Sequence, residues 1–155
     1  MNLYRLILIL VIGIHLIPSP PKPTKQWREP SLNRIIQHPD NQRYIRDSIN
    51  RGHFMQHPQI DIILQPLLPN IIGITHNLGN NRYLIGLNMF HRQSILTRTL
   101  HHELVHVKQF HLNLLDKQTN GIDLWIGKPI DWSLPWASRP WEQMAEEETR
   151  QLYNP

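Results

Sequence analysis

Between Leu96 and Leu114 the apolar residues recur at a spacing that only a helix turns into one face. At roughly 100° per residue, Leu96, Leu100, Leu104, Val107 and Leu114 gather in one sector. His102, Glu103 and His106 occupy the sector beside it, and Arg98, His101, Lys108 and Gln109 fall on the remaining, far side. The expectation is a helix with one face to a core, one to a polar site and one to water. A chain committed to such a helix must supply something apolar for the first face and something chemical for the second.

The second face carries His102-Glu103-Leu104-Val105-His106, the HExxH spacing. Positions i and i+4 lie one above the other on a helix, so both imidazoles can reach one ion. In a random chain of this composition the pattern would arise with a frequency of about 0.02, so coincidence is a weak explanation. Zn²⁺ is the expected ion, with Glu103 placed to handle a water beside it. His101 points away from the pair and reads as a surface residue. His111 fails as a third ligand of the HExxHxxGxxH type, because Leu112 and Gln109 stand where that pattern needs His and Gly.

Two histidines leave a catalytic zinc short of its usual three protein ligands. The best candidate downstream is Glu142, in Ser138-Arg139-Pro140-Trp141-Glu142-Gln143-Met144-Ala145-Glu146. Ser138 and Pro140 suit a helix start, which puts Glu142 in the first turn or two. Ala145 allows close helix approach. Glu146, one turn on, could accept a hydrogen bond from the outer nitrogen of a ligating histidine. Glu147 and Glu148 read as a solvated acidic run.

HExxH followed on a later helix by Glu-x-x-Ala-Glu resembles the gluzincin pattern of thermolysin-like zinc metallopeptidases. More closely, the order His102–Gln109, Leu124–Lys128, Arg139–Ala145 is similar to that of the compact minigluzincins and small metallopeptidases of bacteria and phages. The likeness runs from Ile71 to Gln151, about half the chain, and departs at Glu146, where thermolysin-like enzymes carry aspartate. It implies a zincin-like α+β domain, with a small antiparallel hairpin packed on the HExxH helix and a second, ligand-bearing helix. It also implies one Zn²⁺ on His102, His106 and Glu142, Glu103 as general base, and a peptide or protein substrate. A Tyr or His normally helps hold the developing oxyanion; Tyr83, His91 and Tyr153 are the candidates.

The rest of the chain frames this core. Residues 1–17 place Arg5 before the apolar run Leu6–Ile14, which reads as a signal peptide or an N-terminal membrane anchor. The run is short for a full span, and no small-x-small cleavage site follows it, which favours an anchor. Residues 18–24 are proline-rich and suit a stiff spacer, so the domain is set at residues 25–155. The expected setting is extracytoplasmic, membrane-anchored or secreted, and the expected state is a monomer.

Helices are expected around Ser31–His38 and Asn41–Arg51, with Ile60, Ile62, Ile63 and Leu64 packing on the main domain. His38, His53 and His57 lack metal spacing and read as loop or surface residues. Ile71–Thr75 and Arg82–Asn88 flank an Asn/Gly cluster and predict a hairpin whose edge could pair with an extended peptide. Between the two metal helices, Trp125 and Trp132 could line a pocket or plug a small core, and packing is the favoured reading.

The net charge of +4 is scattered rather than blocked, so nucleic acid is not the expected partner. Without cysteine, disulfides and thiolate metal sites are excluded. Two rival readings stand beside the peptidase. In one, a zinc-containing module held at a membrane binds or stabilises without turnover, and retention of Glu103 argues against it. In the other the motif is coincidence, which requires Glu142 to lie far from the histidines.

Overall fold

The Asn/Gly cluster does reverse the chain. Asn80 and Asn81 both take left-handed backbone, with φ of 51° and 59°. Two such residues in succession match the twist of a tight hairpin, and Asn tolerates them. The structure, a computed structural model, describes residues 30–50, 58–117 and 122–153. The proposed anchor, the proline spacer, His53 and His57 lie outside those residues. No described helix is long and apolar enough to cross a membrane.

The hairpin joins β2 (Gly73–Gly79) to β3 (Arg82–Asn88), paired antiparallel. A further strand, β1 (Gln59–Gln65), pairs parallel to β3, so the order is β1-β3-β2 and β2 forms an edge among the described residues. The isoleucines expected merely to pack on the domain are thus part of its sheet. Ile60, Ile62 and Leu64 sit opposite Tyr83, Ile85 and Leu87, and those three β3 residues are buried.

Onto this sheet packs the long helix α3 (Gln93–His111), preceded in the chain by α1 (Leu32–Ile36) and α2 (Pro39–Asn50). Leu96, Leu100, Leu104 and Val107 have no exposed surface and form the core with Ile35, Ile85 and Leu87. Fully burying side chains of this size contributes about 1.5–3 kcal/mol each. Asn113, with φ 54°, ends the helix as Leu114 N–H donates to Gln109 O at 2.8 Å. Leu114, expected on the apolar face, therefore lies beyond the helix.

The side of α3 expected to meet water is largely covered, except at Arg98, which is half exposed and lies at the site, paired with Glu146. His101 and Gln109 have no exposed surface, and Lys108 has only 6%. The helices α1 and α2 pack there, pinned by Asn41, whose side-chain amide donates to Ile35 O and Thr97 O. His101 is therefore not a surface residue: its ring lies 4.2 Å from Tyr44 and 6.1 Å from Tyr153, centroid to centroid. Lys108 pairs with Glu148, so that glutamate turns inward rather than joining a solvated run.

After α3 a second small sheet forms from β4 (Leu115–Lys117), β5 (Asp123–Trp125) and β6 (Lys128–Pro129), all antiparallel. A 3₁₀ turn at Trp136–Ser138 leads into α4 (Pro140–Tyr153). Pro140 opens the helix, where its missing N–H costs nothing. Trp141, Ala145 and Thr149, one turn apart, are buried as α4 lies along α3. The whole is an α+β domain with two small sheets and four helices among the described residues.

Candidate metal centre

Helix α3 presents His102 and His106 one turn apart, ring centroids 4.8 Å from each other and nearly perpendicular. Their Nε2 atoms approach to 3.2 Å. Glu142, third residue of α4, brings Oε2 to 3.2 Å from His102 Nε2 and 3.3 Å from His106 Nε2. Ala145, one turn beyond Trp141 and fully buried where α4 lies along α3, adds no more than a methyl to that contact. The coincidence reading required Glu142 to be remote, and it is not.

These three donor atoms form a nearly equilateral triangle. Bonds of about 2.0 Å in a tetrahedral site put neighbouring ligand atoms about 3.3 Å apart, so the triangle matches one face of such a site. His102, His106 and Glu142 could hold a metal ion.

Hydrogen bonding behind the triangle fixes what His106 offers to it. Gln109 Nε2–H donates to Trp141 O at 2.9 Å, which settles the orientation of the amide. Its oxygen then faces His106 Nδ1 at 2.9 Å and accepts from it. With one proton committed to Nδ1, Nε2 meets the Glu142 carboxylate as a donor N–H when the ring is protonated and as a lone pair free to bind a cation when it is neutral. Two electron-rich atoms at 3.3 Å call for a cation between them, either a proton or a metal ion.

The electrostatics agree. Although burial opposes ionisation, hydrogen bonds from His102 and His106 hold the Glu142 carboxyl down to about 2. Burial likewise disfavours charge on His106, yet Glu142 and Glu103 raise its pKa overall.

Gln109 was the residue that sequence reasoning assigned to water. The expected support for a ligating histidine was Glu146, and it stands beside the other ring. Its Oε2 lies 3.8 Å from His102 Nδ1, too far for a hydrogen bond, while Oε1 pairs with Arg98. The indole of Trp136 stacks on His102, with centroids 5.9 Å apart and planes at 26°. No spacing rule singled out Trp136.

Glu103 lies beside the triangle, nearly buried, and accepts from Thr75 Oγ1 at 2.7 Å. Burial pushes its pKa up, while His106 and the Thr75 hydrogen bond oppose the shift. A carboxyl so placed has proton affinity above that of an exposed glutamate, as a base needs.

All four residues line a cleft of about 1090 Å³. Residues 70–76 at the β2 edge form one wall, and Trp132, Trp136 and Arg139 contribute to the other. The two tryptophans divide between the two readings: Trp125 packs against the core and Trp132 lines the cleft.

Tyr83, His91 and Tyr153 do not line it. Tyr83 is buried in the sheet, and the Tyr153 hydroxyl faces Thr97 O at 3.5 Å. The cationic or titratable nitrogen side chains that do line it, besides His102 and His106, are His76, Arg98 and Arg139. His111 is held by Asn81 at 2.8 Å and contributes nothing to the triangle.

No protein-family model matches the chain, and comparison with curated proteins and with solved structures finds no match.

Proposed function

We propose that this chain is a zinc metallopeptidase of gluzincin type, with a zincin-like domain in which His102, His106 and Glu142 hold one Zn²⁺. The observation that carries the reading is the triangle of ligand atoms with 3.2–3.3 Å edges, formed by two imidazoles and a carboxylate. Imidazole and carboxylate suit Zn²⁺, and three protein ligands leave one position open. A zinc bound there supplies Lewis acidity, lowering the pKa of a water and polarising a carbonyl.

The protein's own groups do the rest. Glu103 takes a proton from the attacking water and passes it to the departing amine. Its buried setting favours accepting that proton. The free edge of β2 offers main-chain groups to an extended peptide, which would hold a substrate without reading every side chain. Residues 1–17 would deliver the domain across a membrane or keep it attached there.

The test is cleavage. The zinc-loaded full chain is incubated with a defined mixture of unstructured peptides, and products are read by mass spectrometry. Wild type should yield discrete cuts, and Glu103→Gln should lower the rate about 10²–10⁴-fold while keeping the metal. Zinc bound without cleavage would favour the non-catalytic module instead.

A further inference from the structure

Strand β2 meets both oxygens of Glu103. Thr75 Oγ1 donates to Oε2 at 2.7 Å. Two residues earlier, and so on the same face of the strand, Gly73 lies against the other oxygen. A Cβ at residue 73 would stand 2.7 Å from Glu103 Oε1, 3.0 Å from its Cγ and 2.5 Å from Thr99 Cγ2. Glycine is required here by space rather than by backbone conformation. Thr75 Oγ1 also lies 3.1 Å from Glu103 O, but its one proton goes to the nearer and charged acceptor.

The same two residues face the cleft through their main chain. Asn88 N–H donates to Ile72 O at 2.8 Å, so the backbone polar groups of residue 72 turn toward β3. The antiparallel ladder alternates with period two, so those of Ile74 and His76 turn the same way. The N–H and C=O groups of Gly73 and Thr75 therefore turn to the open edge, and both residues line the cleft.

We propose that Thr75 is a positioning residue. It fixes the Glu103 carboxylate with respect to a peptide paired along β2, in the room that Gly73 leaves. The inference rests on the metallopeptidase reading and deepens it. One short segment would grip the substrate with its backbone and the base with its hydroxyl. The stiff χ1 of a β-branched residue keeps that hydroxyl aimed.

The test compares wild type, Thr75→Val, Thr75→Ser and Gly73→Ala as zinc-loaded full chains, on a peptide that the wild type cleaves. Thr75→Val should keep one zinc and a KM within about twofold, while kcat falls about 10–100-fold. Thr75→Ser should recover most of kcat. Gly73→Ala, which keeps the hydroxyl but pushes on the carboxylate, should lower kcat with zinc retained.

A second readout needs no turnover. In metal-free protein the ¹³C carboxyl resonance of Glu103, assigned by its loss in Glu103→Gln, should move in Thr75→Val and stay in Thr75→Ser. Wild-type kcat in Thr75→Val, or equal losses in the Val and Ser variants, would overturn the inference and leave the peptidase reading intact. A wild type that binds zinc and cleaves no peptide would overturn both.

Discussion

His106 and Gln109 sit one turn apart on α3, and the amide oxygen of Gln109 accepts a hydrogen bond from His106 Nδ1–H at 2.9 Å. Because the same amide donates to Trp141 O next to Glu142, one side chain ties His106 on one helix to the turn of the other that carries Glu142. Gln109→Leu should fold, since its site is apolar-sized and buried, but should free the imidazole to rotate and change tautomer. Losses of this kind lower metal affinity about 10–100-fold. Competition with a calibrated zinc chelator checks this. Gln109→Glu, which keeps an acceptor facing Nδ1, should lose less than Gln109→Leu.

His101 makes acid stability a separate test. Burial between Tyr44 and Tyr153, chiefly, lowers its pKa to about 4, and neither ring nitrogen has a hydrogen-bond partner among the described residues. A base with depressed pKa is neutral in the native state while the unfolded chain, near 6.5, still binds the proton. Between about pH 6.5 and 4 the unfolded state thus holds more protons, and stability falls as pH drops. The loss over that window is about 3 kcal/mol, complete only near pH 4. Urea unfolding of metal-free protein at pH 7 and pH 4.5 should show wild type losing about 2–3 kcal/mol more than His101→Phe. The other histidines titrate in both proteins and cancel in the difference. Parallel losses in the two proteins would mean that His101 is protonated without cost.

Lys108 and Glu148 join α3 to α4 as a pair in which the lysine is almost wholly buried. Removing one partner leaves a charge with no counter-ion. Glu148→Gln should therefore destabilise by about 3 kcal/mol, whereas Lys108→Met with Glu148→Leu should recover much of the loss. For a chain of this length 3 kcal/mol corresponds to a fall of roughly 6–12 °C in Tm. A melting curve decides it, and an unchanged midpoint in Glu148→Gln would show the pair to be inert.

Much of the site was legible because its rules are local. HExxH needs only a helix, and the leucine spacing supplies one; the Asn/Gly cluster needs only a tight turn. Glu142 could be placed near the histidines because proline marks the start of α4 and two histidines leave a zinc site short of a third donor. Contacts made across the fold were less visible. Strand β1 pairs in parallel with β3, a register that no short-range turn specifies. Wheel position on α3 assigns these polar residues to water, yet Lys108 meets Glu148, Gln109 meets Trp141, and His101 lies between two tyrosine rings. Thr75 was read as part of a strand, and nothing in a strand pattern says which carboxylate its hydroxyl will meet. Trp136 escaped notice because a half-exposed tryptophan in a loop carries no periodicity.

The most direct measurement is the zinc content, by elemental analysis after exhaustive dialysis, of wild type, Glu142→Ala and Glu103→Gln. The account predicts one zinc per chain in wild type, loss in Glu142→Ala because one vertex of the triangle is gone, and retention in Glu103→Gln because that residue is no ligand. Folded wild-type protein that takes up no zinc when it is supplied, or Glu142→Ala that binds as tightly as wild type, would contradict it.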